Sequence, residues 1–171
     1  MLSRRNLLSI TGLSTGALLV QGLALDSPAR AATATRVPVP SGSFPVRYTD
    51  AEWRRMLTPM QYFILREGGT EPEHSGGMTK SIGNGVYACV GCGQILASSL
   101  TLFDAGIGYP NFWASPKGAL DTLNDPNTPP PTKVVHCTRC GGHHGHLFYD
   151  GPRASKERFC LNGQALRFIA V

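Results

Sequence analysis

The chain has 171 residues, the length of a single domain. Its 16 Lys and Arg against 11 Asp and Glu give a net charge of +5, and no basic block alternates with aromatic residues, so the sequence predicts no nucleic-acid partner. The 20 glycines and 13 prolines favour turns and strands over a helical bundle.

The first 31 residues are typical of an export signal. Arg4 and Arg5 form a basic start, residues 6–25 carry no charge, and Ala29-Arg30-Ala31 gives a small-x-small cleavage pattern. The run SRRNLL resembles the twin-arginine consensus. We predict a twin-arginine-type signal peptide over residues 1–31, read by the twin-arginine export machinery, and a periplasmic or otherwise exported bacterial protein. An uncleaved membrane anchor is the alternative, because an uncharged run of about 20 residues can span a bilayer.

A folded domain is predicted over residues 49–171, after an extended leader of Pro-, Ser- and Thr-rich sequence at 32–48. Two short helices open the domain. Thr49 and Thr58 each have Glu or Gln three positions later, which is the signature of a capping box, and Gly68 is placed to end the second helix. Apolar residues at helical spacing are predicted to face inward: Trp53, Met56, Leu57 and Met60.

From Gly85 onward, short apolar runs are separated by Gly and Pro. The predicted strands are GVYACV, QILASS, KVVHC, HLFYD and LRFIAV. No long helical pattern separates them, which favours antiparallel pairing and a mainly β fold. Residues 121–132, DTLNDPNTPPPT, are predicted to form a Pro-rich loop.

Four of the five cysteines form two matched pairs, Cys89/Cys92 and Cys137/Cys140, each in the pattern Cys-x-x-Cys-Gly. Two intervening residues let both sulfurs of a pair reach one tetrahedral centre. The pairs predict a structural zinc site, closed to substrate because four cysteine ligands leave no open position. Two disulfides, or one redox-active pair, are the alternatives.

Three of the five histidines, His143, His144 and His146, fall in the segment GGHHGHLF. In a regular strand His144 and His146 share one face, whereas a turn at Gly145 brings His143 and His146 together. The cluster predicts acid–base groups beside a nucleophile, with metal ligation as a weaker interpretation.

The fifth cysteine, Cys160, lies between Arg158 and Asn162 in the segment ERFCLNG. The nearby arginine predicts a lowered thiol pKa and therefore a reactive thiolate. Taken alone, the segment favours an inert buried cysteine, because free cysteine is among the most buried residue types.

Residues 50–169 resemble the B-type methionine sulfoxide reductases, the zinc-containing class that acts on the R epimer. The resemblance rests on five segments in order: EWRRMLTPMQYFILREGGTEPEHSGG, the two cysteine pairs, FDAGIGYPNF, GGHHGHLFYDGP and ERFCLNGQALRF. It implies two packed antiparallel sheets (a β-tent), short N-terminal helices and a structural zinc.

The resemblance also implies residue roles. Cys160 would be the nucleophile that becomes a sulfenic acid. The substrate pocket would be formed by Tyr109, His143, His146, Arg158 and Asn162. Both His143 and His146 would lie at the sulfoxide oxygen, and Tyr109 occupies the position of the family's tryptophan.

Several positions depart from the family pattern. Gly163 replaces a usual serine, Thr132 and Val134 replace a basic and an acidic residue, and Ile107 occupies a position where many members carry a resolving cysteine. With no sixth cysteine, an external thiol or an exported thioredoxin-like protein would have to reduce the Cys160 sulfenic acid.

The expected function is therefore reduction of R-methionine sulfoxide in oxidised exported proteins by a monomeric enzyme. The alternative is a non-catalytic zinc β-tent module that binds a ligand in the same pocket. A zinc ribbon that binds DNA conflicts with the export signal and the modest charge.

Overall fold

A computed structural model describes residues 36–171. Both predicted helices are confirmed: α1 spans Asp50–Met56 and α2 spans Pro59–Glu67. Each begins with a complete capping box, in which the threonine side chain accepts a backbone N–H and the Glu or Gln side chain accepts one in return. Helix α2 ends at Gly68, whose φ of 69° is the left-handed conformation that glycine adopts readily.

The predicted inward stripe is correct except at one position. Trp53 and Leu57 are buried and Met60 packs against the core, but Met56 is 51% exposed. The chain leaves the helical conformation at Leu57 and starts a second helix after Thr58. Helical periodicity does not continue across that break, so the spacing no longer places Met56 on the buried face.

Within the described residues, nine strands form two antiparallel sheets. The three-stranded sheet has the order β2-β1-β9 and the six-stranded sheet the order β3-β4-β8-β7-β6-β5. The strands are β1 Gly85–Cys89, β2 Ile95–Ser98, β3 Leu102–Phe103, β4 Asn111–Phe112, β5 Leu120–Asn124, β6 Lys133–Cys137, β7 His143–Phe148, β8 Arg158–Leu161 and β9 Leu166–Ala170. Short 3-10 helices at Ser99–Thr101 and Gly163–Ala165 precede β3 and β9.

The predicted fold class is confirmed, but the element assignments contain errors. Strands β3 and β4 were not predicted, and Tyr149 and Asp150 of the predicted strand HLFYD lie beyond the end of β7. Residues 121–124, assigned to the Pro-rich loop, belong to the edge strand β5, which pairs along its whole length with β6. An edge strand needs pairing on one side only and is half-exposed here, so its sequence, LDTLN, lacks the apolar pattern of an inner strand. The loop proper starts at Asp125.

The core lies between the two sheets and under the helices. Tyr87 of β1 packs edge-on against Phe112 of β4, with ring centroids 5.0 Å apart, and this contact joins the sheets. Leu96, Val135 and Leu161 are fully buried nearby. These apolar side chains come from both sheets, as expected for two layers that cover one core.

The part of the predicted leader that the structure describes, residues 36–48, forms no helix or strand but follows the domain surface. The Val37 N–H donates to the Gly68 carbonyl, and the Val46 N–H donates to the Arg139 carbonyl. The predicted signal peptide lies outside the described residues. Within residues 36–171, no helix has the length and apolarity to cross a bilayer.

Candidate active site and metal centre

The two cysteine pairs form turns with the same hydrogen bonds. In the first, the Gly93 N–H donates to the Cys89 carbonyl at 2.8 Å; in the second, the Gly141 N–H donates to the Cys137 carbonyl at 2.8 Å. Both glycines have positive φ, 76° and 70°, which explains the glycine after each pair.

The turns bring four thiols to one point. All four sulfurs lie within 4.8 Å of one another, and the pairs Cys89–Cys140 and Cys92–Cys137 are 3.8 and 3.5 Å apart. A tetrahedron of sulfurs about 2.3 Å from a zinc ion has edges of about 3.8 Å. All four cysteines are free rather than disulfide-bonded, so the geometry fits the predicted four-cysteine zinc site.

Cys160 lies in the middle of the six-stranded sheet, on strand β8. Its direct neighbour on β7 is His146 and its direct neighbour on β4 is Asn111. Directly opposite residues of an antiparallel pair place their side chains on the same face, with Cβ atoms about 5 Å apart. The pairing therefore places His146 and Cys160 side by side.

Strand β7 contains a bulge that resolves the two interpretations of the histidine cluster. The register slips between Val135 and His136 of β6, and Gly145 has a φ of 146°. As a result the rings of His143 and His146 lie 5.9 Å apart. A Cβ on Gly145 would lie 2.0 Å from the Cys160 carbonyl oxygen, so only glycine permits this approach of the two strands.

A pocket of about 250 Å³ opens above this face of the sheet. Five of the predicted site residues line it: Tyr109, His146, Arg158, Cys160 and Asn162. The other walls come from Thr70, Ile107, Gly145, Phe148 and Leu161. His143 is fully buried and lies behind His146, outside the lining of the pocket.

The guanidinium of Arg158 is held by neighbours on three sides. It donates to both Asp150 oxygens, at 2.7 and 2.9 Å, and to the Asn111 side-chain oxygen at 3.1 Å. It also lies over the Phe148 ring, 4.2 Å from the centroid. The hydrogen bonds lower the pKa of Asp150 and raise that of Arg158, as expected for a bidentate pair.

The predicted lowering of the Cys160 pKa is wrong. Burial raises the pKa of the Cys160 thiol to about 11, against an opposing effect of Arg158. The Arg158 charge is already neutralised by Asp150, whose own charge raises the Cys160 pKa further. The free protein therefore holds Cys160 as a thiol at neutral pH.

The buried carboxylate of Glu71 holds the backbone that follows Cys160 through hydrogen bonds. Glu71 accepts the N–H groups of Gly163 and Gln164 at 2.6 and 2.7 Å. Its own N–H donates to the Asn162 side-chain oxygen at 2.9 Å, and its carbonyl accepts from the Tyr109 hydroxyl at 3.2 Å. Burial raises the pKa of Glu71 although these bonds act against it. Glu71 thus orients two walls of the pocket.

Gly163, one of the departures from the family pattern, is explained by packing. A Cβ at this position would lie 2.9 Å from the Cα of Gly76. The two glycines let the segment after Glu71 lie directly against the turn that follows strand β8.

Four residues important to the site were not identified from the sequence. Phe148 follows His146 by two positions on one strand, so alternation could have placed both on one face. Asp150, Glu71 and Asp125 act through contacts distant in sequence, which no local pattern reveals. Asp125 starts the Pro-rich loop, and its Oδ2 lies 3.1 Å from Nε2 of His146.

A free thiol in a half-open pocket, between a histidine and an arginine and apart from a closed four-cysteine centre, is typical of thiol-dependent oxidoreductases. Residues 57–170 match the SelR domain family model. The chain therefore belongs to the SelR domain family, whose curated members include peptide methionine sulfoxide reductases named MsrB.

Three relatives illustrate the similarity. The chain is 39% identical over 127 residues to peptide methionine sulfoxide reductase MsrB of Leptospira interrogans, covering 74% of this chain and 97% of that one. It is 42% identical over 127 residues to MsrB of Agrobacterium fabrum, covering 74% and 94%. It is 36% identical over 171 residues to the chloroplastic reductase B2 of Arabidopsis thaliana, covering 97% and 79%.

Among solved structures, the Yippee-like domain of Mis18 is similar with a TM-score of 0.43 and 14% identity, over 52% of this chain and 97% of that one. This likeness is too weak to bear on fold or function.

Replacing Cys137, one ligand of the metal centre, by serine should remove zinc and unfold much of the domain. Structural zinc contributes on the order of 10 kcal/mol of binding free energy, comparable with the whole stability of a typical domain. Metal analysis should fall from about one zinc per chain to near zero, with a large drop in melting temperature. Cys160→Ser is the matched control and should keep the zinc content and the melting temperature of the wild type. Full zinc retention in Cys137→Ser would contradict the assignment.

Alkylation of Cys160 should be slow at neutral pH and should accelerate with pH. Because the thiolate is the reactive form, a pKa of about 11 predicts a rate that rises about tenfold per pH unit up to that region. Iodoacetamide labelling of the zinc-loaded protein, followed by mass spectrometry of the ERFCLNG peptide, measures this rate. A rate that levels off below about pH 8 would contradict the buried-thiol geometry.

Proposed function

We propose that this protein reduces the R epimer of methionine sulfoxide, in proteins or as the free amino acid, with Cys160 as the nucleophile. The observation that carries the proposal is the placement of Cys160 beside His146 in a pocket with apolar walls, in a chain of this family. The pocket has room for a methyl sulfoxide group, while the bulk of a protein substrate would stay outside.

In the proposed reaction the thiolate form of Cys160 attacks the sulfoxide group. The bond between the substrate sulfur and its oxygen breaks, a bond between that oxygen and the Cys160 sulfur forms, and one proton is taken up by the oxygen. Two electrons pass from the Cys160 sulfur to the substrate sulfur. The products are methionine and Cys160 sulfenic acid. His146 is suited to protonate the oxygen, because an imidazole ring can both give and take a proton.

Selectivity for one epimer follows from three different walls. A sulfoxide sulfur carries an oxygen, a methyl group and the rest of the methionine side chain. We assign the oxygen to the side of His146, the methyl group to the apolar side formed by Tyr109 and Phe148, and the chain to the pocket mouth beside Ile107, which is 39% exposed. Only one configuration at sulfur satisfies the three at once.

Regeneration of Cys160 is assigned to an external reductant. The other four cysteines are grouped at the metal centre, and Ile107 occupies the pocket rim where a resolving cysteine could stand. A small thiol or an exported thioredoxin-like protein would reduce the sulfenic acid through a mixed disulfide.

The proposal extends to cellular location. The twin-arginine-like run at residues 3–8 supports export as a folded, metal-loaded monomer. The substrates would then be oxidised methionines of periplasmic or otherwise exported proteins.

An assay with resolved sulfoxide epimers tests the reaction. The zinc-loaded protein with dithiothreitol should reduce a peptide carrying R-methionine sulfoxide and leave the S epimer unchanged, as measured by chromatography of the peptide. Cys160→Ser should lose all measurable turnover because the oxygen acceptor is gone. No turnover of the R epimer in the wild-type protein, with a ligand still bound in the pocket, would favour the non-catalytic zinc module instead.

Trapping the oxidised enzyme tests the route of regeneration. After one turnover without reductant, wild-type Cys160 should react with dimedone, which labels sulfenic acids, because no cysteine is available to condense with it. In Ile107→Cys the label should be largely lost, since a disulfide to Cys160 forms within the same pocket. Ile107→Ser is the matched control and should keep the label. A disulfide between Cys160 and a native cysteine would contradict the assignment.

A further inference from the structure

Asp125 is a buried carboxylate in a loop that is otherwise mainly exposed. It begins the Pro-rich connection between β5 and β6, yet none of its side chain is exposed to solvent. A carboxylate is seldom fully buried without partners that compensate for the lost hydration. Its contacts therefore need a structural or chemical reason.

Three groups make those contacts. Oδ1 accepts the Asn127 N–H at 2.8 Å, and Oδ2 accepts the Thr128 hydroxyl at 3.0 Å. The remaining contact is to Nε2 of His146, 3.1 Å from Oδ2. Burial raises the pKa of Asp125, but the three hydrogen bonds outweigh burial and keep the pKa below its ordinary value, so the group is ionised. The two loop contacts fix the carboxylate, and the fixed carboxylate contacts the histidine.

An ionised carboxylate can only accept a hydrogen bond, so Nε2 of His146 must carry the hydrogen. The neutral ring then has its lone pair on Nδ1, at the other edge of the imidazole. His146 lines the pocket, and its direct neighbour across the sheet is Cys160. The contact with Asp125 thus determines which nitrogen can accept a proton on the pocket side.

Within residues 36–171, no second carboxylate lies within ion-pair distance of His146. From strand β6 its direct neighbour is Val134, which is apolar and fully buried. His143, behind the ring, is kept neutral because burial lowers its pKa to about 3. The titratable and charged groups that face His146 or share its pocket are Asp125 from the loop, His143 from its own strand, Arg158 and Cys160 from β8, and Tyr109.

We propose that Asp125 is a positioning residue, which holds His146 with Nε2–H toward itself and Nδ1 toward Cys160, so that His146 carries the thiol proton to the sulfoxide oxygen. Nδ1 takes the proton from the Cys160 thiol, and the thiolate then attacks. As the oxygen passes from the substrate sulfur to Cys160, Nδ1–H gives the proton to it. The ring returns to its starting state, and no proton from outside is required. This inference rests on the function proposed above.

The substitution Asp125→Asn is expected to place the hydrogen of His146 on the wrong ring nitrogen. The Asn127 N–H requires an acceptor, so the amide oxygen takes the place of Oδ1 and the NH2 group takes the place of Oδ2. The NH2 group then donates to Nε2 and moves the ring hydrogen to Nδ1, which can no longer accept the thiol proton. In Ser-His-Asp proteases the same change of Asp to Asn fixes the wrong tautomer and lowers kcat about 10⁴-fold.

The experiment measures activity and tautomer together. For zinc-loaded Asp125→Asn, kcat with an R-sulfoxide peptide and dithiothreitol should fall at least tenfold while KM changes less than about twofold. Nitrogen-15 NMR at about pH 9, where an ordinary histidine is neutral, should show His146 as Nε2–H in the wild type and Nδ1–H in the variant. His146→Gln identifies the signal, and zinc content and melting temperature establish folding.

The matched control is Asp121→Asn. Asp121 also faces a histidine, with its Oδ2 4.0 Å from Nε2 of His136, but it lies on the edge strand β5 and is 72% exposed. Its kcat should stay within about twofold of the wild type, as expected for a surface substitution.

Two results would overturn the inference: an unchanged kcat in folded, zinc-loaded Asp125→Asn, or an Nδ1–H tautomer of His146 in the wild type. The second is decisive even if the variant fails to fold. Absence of R-epimer turnover in the wild type would instead reject the proposed function, whereas the tautomer measurement would still test the contact between Asp125 and His146.

Discussion

The four-cysteine centre is the constraint on which the rest of the domain depends, because it joins the two sheets. Cys89 ends strand β1 of the three-stranded sheet, and Cys137 ends strand β6 of the six-stranded sheet. Apolar contacts such as Tyr87 against Phe112 hold the layers together but have little directionality. Four metal–sulfur bonds of fixed length and angle set the relative position of the sheets far more narrowly. A domain of this size with many short strands gains a defined geometry from that one centre.

Helix α2 and the segment after it connect the metal centre to the pocket. At the helix, the Arg66 guanidinium donates to the carbonyl of the metal ligand Cys140 at 2.9 Å. A few residues further on, Glu71 fixes the backbone of Gly163 and Gln164 just beyond Cys160. Metal centre and thiol are therefore linked through a short, well-bonded stretch of chain. The zinc would take no part in the chemistry, yet its loss would disturb the pocket walls as well as the stability of the fold.

Local features were predictable from the sequence and contacts distant in sequence were not. The capping residues predicted both helices, and the repeated Cys-x-x-Cys-Gly pattern predicted the metal centre, because both kinds of pattern involve residues only a few positions apart. Strand β5 was missed because an edge strand needs little apolar sequence. The predicted pKa of Cys160 was wrong because only Arg158, two positions away in sequence, was taken into account. Asp150, which neutralises the charge of Arg158, follows the end of strand β7. The role of Asp125 could not be predicted for the same reason, since its partner His146 lies 21 positions away in sequence.

The protonated state of Cys160 bears on how such a protein survives the conditions that create its substrate. Peroxides attack thiolates, and repeated attack takes a cysteine irreversibly to sulfinic and sulfonic acid. A thiol whose pKa lies at about 11 offers almost no thiolate at neutral pH and is therefore a poor target while the pocket is empty. A neighbouring base that removes the proton only when a sulfoxide is in place would couple reactivity to occupancy. Burial of Cys160, which slows its reaction with small probes, would thus protect the thiol from oxidation.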